Sequence, residues 1–118
     1  MDTPLIFATQ QALHQLGELT LRITKSIPLS HLDEALAVGL RTGFGDDMLR
    51  IGQVKMFADG AMGPRTAWML EGYVSAPEVT GIPAVPIAEL SEAVFKANAG
   101  GLGAAIHAIG DRATREVL

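Results

Sequence analysis

Two side chains in this sequence stand where residues of their type need a reason. Lys55 lies inside a run, Leu49 to Ala58, that reads as a β-strand, between the apolar Val54 and Met56, and the turn-forming stretch Asp59-Gly60-Ala61-Met62-Gly63-Pro64 follows it. A lysine is seldom buried unless it is paired, so the residue either reaches solvent at a strand end, pairs with Asp59, or does chemistry. His107 lies in a second strand-like run, Leu102 to Ile109, just before Gly110-Asp111. A neutral imidazole is a good ligand for zinc, whereas an ammonium group has no lone pair to give. The two residues are 52 positions apart (107 − 55), a separation suited to successive strands joined by a long loop and a helix.

Helices alternate with strands along the chain. Pro4 to Gly17 reads as a helix with Ile6, Thr9, Leu13 and Leu16 on one stripe and Gly17 as its stop. Leu19 to Thr24 alternates apolar with polar and predicts a strand, on which Arg22 points either toward the site or to solvent. Ser30 is placed to cap a short helix that carries Asp33 and Glu34 in its first turn and repeats Leu32, Leu36 and Leu40 to about Arg41. In the strand Leu49 to Ala58, the residues Leu49, Ile51, Gln53, Lys55 and Phe57 share one face, and Arg50, Val54 and Met56 share the other. Ile87 to Ala99 is the clearest helix, striped by Ile87, Leu90, Val94 and Ala97, with Glu89 and Glu92 near its start and Lys96 near its end. The strand Leu102 to Ile109 is built from small residues, and Asp111 is placed to cap a last helix. Such alternation implies an α/β fold of parallel βαβ units with right-handed crossovers.

Between the second strand and the clear helix, Gly60 to Pro86 has no sustained periodicity and four prolines, Pro64, Pro77, Pro83 and Pro86. Loops this long are uncommon in compact domains and often functional. Within it Trp68-Met69-Leu70 is read as a short helical turn, and Trp68 and Tyr73 either wall a substrate pocket or pack on a rim. Asp59 and Asp111 are read as shaping their turns. Arg65 and Arg112 are candidate contacts for an anionic substrate, with a structural salt bridge as the plainer expectation for each. His14 and His31 are read as helix-surface residues, and Asp46-Asp47 as a solvated loop without the spacing of an EF-hand.

Composition narrows the field. An apolar fraction of 48% lets the 118 residues bury a core, and a net charge of −4 argues against nucleic acid as a partner. With no cysteine, disulfides and thiolate ligands are excluded, which accords with a cytoplasmic home. No apolar run approaches the ~20 residues of a membrane span. The start, Met1-Asp2-Thr3-Pro4, lacks the basic segment of a signal peptide.

Val54-Lys55-Met56-Phe57-Ala58-Asp59-Gly60-Ala61-Met62-Gly63-Pro64-Arg65-Thr66-Ala67-Trp68 and His107-Ala108-Ile109-Gly110-Asp111-Arg112-Ala113 together resemble the amidohydrolase superfamily, within it amidohydrolase family 3. The resemblance covers about Leu19 to the end of the chain. It implies a (β/α)8 TIM barrel in which these runs are the fourth and fifth strands and Leu19 to Thr24 the third. A whole barrel needs typically ~250 residues, so residues 1–118 are expected to be a partial barrel domain, a fragment of a longer metal-dependent hydrolase. The resemblance implies His107 as a metal ligand. It implies the same for Lys55 once carbon dioxide has converted it to a carbamate. The implied metal is divalent, zinc by expectation, and the implied reaction is hydrolysis of an amide-type C–N bond of a small molecule by metal-activated water.

The resemblance also exposes gaps. The family's His-x-His, a later histidine and an aspartate general base have no counterpart here, since the histidines are only His14, His31 and His107. The isolated chain is therefore expected to be inactive and to hold metal poorly. The competing reading is a non-catalytic regulatory or binding module of the same family. Three parallel strands with open edges, and a row including Ile51, Phe57 and Ala105 that meets water, predict self-association as a two-fold dimer.

Overall fold

The computed structural model describes residues 4–118; Met1-Asp2-Thr3, which bear on the signal-peptide reading, lie outside the described residues. The elements are α1 (Pro4–Gln15), β1 (Ile23–Pro28), a 3-10 turn (Leu29–His31), α2 (Leu32–Ala37), β2 (Leu49–Phe57), α3 (Ile87–Ala99), β3 (Ala104–His107) and α4 (Asp111–Val117). One sheet holds the strands in the order β1-β2-β3. The amide of Val54 donates to the Gly103 carbonyl and that of Ala58 to the His107 carbonyl, each at 2.8 Å. Both partners advance by four residues, so β2 and β3 run parallel. The architecture is the α/β alternation expected, the repeating unit of a (β/α)8 barrel.

The chain divides into two compact units, one formed by the chain up to Val54 with Lys96–Ala104, the other by Lys55–Phe95 with Ala105–Leu118. In the first, α1 ends as Gly17 turns to a φ of 71° and the Glu18 amide bonds back to the Leu13 carbonyl. The first strand corrects the sequence reading. It begins at Ile23, whose amide donates to the Met48 carbonyl (2.8 Å), rather than at Leu19. Leu19 to Arg22 alternates in sequence but is not part of the strand, and Arg22 is exposed before β1 instead of facing a site.

The next helix also differs. Ser30 lies in the 3-10 turn; His31 takes the N-cap position of α2 without a side-chain cap, and Asp33 and Glu34 fill the first turn as read. α2 stops at Ala37, not near Arg41, because Gly39 adopts a φ of 74°. Its amide then bonds the Leu36 carbonyl and that of Leu40 the Ala35 carbonyl, a Schellman closure. Ile27, Leu32, Ala35, Leu49, Ile51, Val54, Ala97 and Leu102 are the buried apolar residues of this unit among the described residues, so Ile51 does not belong to a water-facing row.

The second unit carries the end of β2. Met56 and Ala58 are fully buried along one side, as is Val54, the last residue of the first unit's share of β2, while Lys55 and Phe57 on the other stay partly open. This is the two-faced pattern that period-two geometry requires. The bounds of α3 match its sequence reading; of the expected stripe Leu90 and Ala97 are buried and Ile87 and Val94 half-buried, and Ala93 is buried as well. β3 is shorter than Leu102 to Ile109, and Asp111 is the first residue of α4, with Gly110 in the cap position. Trp68 to Leu70 is not helical; the nearby turn is closed instead by Arg65 donating to the Met62 carbonyl at 3.0 Å.

Candidate metal-binding wall at His107

The side chains of Lys55, Phe57 and His107 meet at one ring. Lys55 and Phe57 are two apart on β2 and so project from the same face. The Lys55 ammonium lies 4.8 Å from the Phe57 ring centroid. His107, paired beside Ala58 through its carbonyl, sets its imidazole 5.2 Å from that same centroid at 44°. The two candidate ligands, distant in sequence, thus both touch Phe57. His107 remains 29% exposed at its side chain, so one edge of the ring is open to a ligand.

The protonation of His107 follows from its neighbour. Its Nε2 is 2.8 Å from the Gly60 carbonyl oxygen. A carbonyl oxygen can only accept, so Nε2 is the donor and, in the neutral ring, Nδ1 keeps the lone pair. Donation of the second ring N–H to a backbone carbonyl is the usual support of a metal-binding histidine. The Gly60 peptide is itself held by a tight turn: its amide reaches the Thr66 carbonyl (3.3 Å), and the Ala61 amide reaches the Thr66 hydroxyl (3.0 Å).

Asp59, one residue before that carbonyl, is only 1% exposed. Its carboxylate accepts three backbone N–H groups, from Gly110 at 2.7 Å, Trp68 at 2.8 Å and Ile109 at 3.0 Å. Burial pushes its pKa up, but the Gly110, Ile109 and Trp68 bonds, with the nearby His107, outweigh burial and hold it below the ordinary 3.8. Oδ1 lies 4.0 Å from His107 Nε2, beyond hydrogen-bond range. Asp59 therefore shapes backbone, as its place in a turn suggested, and bonds the backbone N–H groups of Trp68, Ile109 and Gly110.

The turn before α4 fastens the loop that follows β2. Asp111 Oδ1 accepts the Leu70 amide at 2.8 Å, and the Ala113 amide reaches the Trp68 carbonyl at 3.2 Å. A Cβ on Gly110 would land on the Trp68 backbone, so only glycine fits there. Arg112 lies over the Trp68 ring, 4.7 Å from its centroid. Tyr73 donates its hydroxyl to the Ala67 carbonyl at 2.9 Å. These contacts correct the salt bridges expected of the two arginines. Arg112 stacks on an aromatic face. Arg65 is exposed at a φ of 57°, in a shallow cleft with Glu78 and Thr80, and among the described residues it pairs with no carboxylate. Trp68 is thus held by backbone and by Arg112 together.

His107 offers one nitrogen donor, and Lys55 offers oxygens only after modification. Among the described residues no group of three or more His, Asp or Glu is placed to hold a metal ion. The donors fit one wall of a metal site rather than a complete one, since a zinc centre takes about three or four protein ligands. Sequence reasoning singled out both ligand candidates. It missed the reach of Asp59, whose signal was a carboxylate set directly after the apolar positions Val54, Met56 and Ala58.

A sequence model of the amidohydrolase family matches residues 6–118. YtcJ of Bacillus subtilis (strain 168), named as a candidate amidohydrolase, is 40% identical over 70 residues, 59% of this chain and 13% of that protein. Protein LONG AFTER FAR-RED 3 of Arabidopsis thaliana is 31% identical over 102 residues, 86% of this chain and 18% of its own. The chain thus spans less than a fifth of the length of these curated relatives. The crystal structure of an uncharacterized metal-dependent hydrolase from Pyrococcus horikoshii OT3 superposes with a TM-score of 0.86 at 32% identity, over 94% of this chain and 23% of that one. A metal-dependent hydrolase from Pyrococcus furiosus gives 0.85 at 32% identity, over 94% and 24%. Because the family match takes in every element except the start of α1, the chain belongs to the amidohydrolase family.

Proposed function

We propose that this chain supplies one wall of the metal site of a cytoplasmic hydrolase that cleaves amide-type C–N bonds of small molecules. The observation that carries the reading is the His107 ring, with Nε2 spent on the Gly60 carbonyl and Nδ1 left with its lone pair. Lys55, beside the same Phe57 ring, is the second candidate. Its neutral amine can add carbon dioxide and shed a proton, giving a carbamate that presents two oxygens like a carboxylate. Zinc is an ion suited to an imidazole donor of this kind, and a bound divalent ion would supply Lewis-acid chemistry. This chain's own residues orient the donor, through Gly60, and shape the loop beside it, through Asp59 and Asp111. Arg65, Arg112 and Trp68 are proposed to meet substrate; Arg112 and Trp68 would do so as a stacked pair presenting a cation and an apolar face.

The test is made in a longer hydrolase that carries this segment with the remaining ligands. His107→Ala is expected to remove bound metal and nearly all turnover while the protein stays folded. Lys55→Ala is expected to be severe, with partial rescue by added short carboxylic acids. Turnover near the unmutated level in His107→Ala contradicts the assignment. We also propose that the 118-residue chain self-associates as a dimer, since Leu21, Phe44 and Phe95 are each about 70% exposed and β1 and β3 are edge strands. A mass that stays monomeric in light scattering at all concentrations argues against it.

A further inference from the structure

We infer that Asp59 is the positioning residue of His107, fixing both the tautomer and the direction of its ring; the inference rests on His107 being the metal-facing donor. One carboxylate ties down the backbone on both sides of that imidazole. Gly60, its sequence neighbour, provides the carbonyl that receives Nε2–H at 2.8 Å. Ile109 and Gly110, two and three residues beyond His107, are the residues whose amides it binds at 3.0 and 2.7 Å. The acceptor of the ring and the strand end that carries the ring are thereby held to the same buried group. Its third bond, to the Trp68 amide at 2.8 Å, brings the following loop under the same control. The negative charge also lies on the Nε2 side of the ring, 4.0 Å away, where it favours a proton on that nitrogen and leaves Nδ1 bare.

Nothing in this arrangement lets Asp59 touch metal itself. Oδ2 accepts two amide hydrogens and Oδ1 one, and the carboxylate is closed from solvent. It acts through Gly60 and through the backbone after His107. Outer partners of this kind typically change metal affinity by about 10–100-fold when removed.

The experiment is a two-bond 15N–1H correlation of the imidazoles in the metal-free chain, labelled at histidine, with His14 and His31 assigned by substitution. In the unmutated chain His107 is expected in the Nε2–H form, with the Ile109 and Gly110 amide protons shifted downfield by the carboxylate. Asp59→Asn is expected to lower the Nε2–H to Nδ1–H ratio of His107 by roughly tenfold, the size of one hydrogen bond's net worth, and to leave His14 and His31 unchanged. A folded Asp59→Asn chain with an unaltered His107 ratio overturns the inference. So does a predominant Nδ1–H form in the unmutated chain, a result that holds even where the variant fails to fold. Because no metal or activity enters this readout, it stands apart from the hydrolase proposal. An unaltered ratio beside metal loss in His107→Ala sinks the positioning role alone; a shifted ratio beside full activity in His107→Ala sinks the ligand role alone.

Discussion

Two aspartates bracket β2 in the chain, and they use the same chemistry to different ends. Asp46, before the strand, accepts the Met48 and Leu49 amides on Oδ1 at 2.8 and 3.0 Å and faces His14 Nε2 at 2.8 Å on Oδ2. Asp59, after it, accepts three amides and faces His107 Nε2 at 4.0 Å. Asp46 bonds residues two and three positions away, in solvent. Asp59 bonds residues nine, 50 and 51 positions away, in the interior. A local bond in water sets a turn that the chain would nearly adopt unaided. A long-range bond in the interior joins segments far apart in the chain, and its loss leaves donors with no alternative partner. The histidine at the wet aspartate meets it in an exposed side-chain contact, Nε2 to Oδ2 at 2.8 Å. At the dry one, the carboxylate holds backbone and the histidine is left free to present a lone pair.

The comparison is broken most severely by Asp59→Ala. Three buried amides lose their acceptor, at about 1–3 kcal/mol for an unsatisfied group, so a loss of about 4 kcal/mol is expected in urea unfolding. A loss below about 1 kcal/mol would mean that water replaces the carboxylate. Gly110→Ala comes next. Its Cβ meets the carbonyl and amide of Trp68, backbone that cannot step aside. Forced overpacking of this kind costs about 1–3 kcal/mol, and the upper end is expected, with faster hydrogen exchange at Leu70 and Ala113.

Acid sharpens the contrast. The pKa of Asp59 is below its ordinary 3.8 in the folded chain, so its stabilisation is complete above that value and is lost as pH falls through the lower, folded one. Unfolding is expected to be most pH-sensitive below about pH 4, and Asp59→Asn to flatten that limb. The Leu49 and Met48 amides, chiefly, lower the pKa of Asp46 too, and the sign is the same. Its exposure screens the effect, so Asp46→Asn is expected to leave the acid limb standing. Asp46→Ala is the smallest change of all: a slight fall in stability in urea unfolding as the Met48 and Leu49 amides lose their acceptor to solvent. An effect as large as that of Asp59→Ala would abolish the distinction between the two sites.

What the sequence made legible follows the same division. Elements held by their own pattern were readable: α3 from its apolar stripe and its charged ends, β2 from the strand-like run that ends at Asp59-Gly60. Lys55 and His107 were readable because a charged or ligating side chain in a strand stands out against apolar neighbours. What escaped depended on partners. Leu19 and Leu21 alternate like a strand, yet the ladder starts at Ile23, where the Met48 carbonyl is found. Ser30 has the chemistry of a cap, but a 3-10 turn takes its place. The stacking of Arg112 on Trp68 and the three amides at Asp59 join residues far apart in the chain, and no local spacing announces them.

The most direct test of the central claim is a crystal structure, with anomalous scattering at the zinc edge, of a metal-loaded hydrolase that contains this segment. The metal is expected about 2.0–2.1 Å from His107 Nδ1, with Nε2 still on the Gly60 carbonyl and Asp59 still on the amides of Trp68, Ile109 and Gly110. Metal bound to Nε2, or to the Asp59 carboxylate, would contradict it.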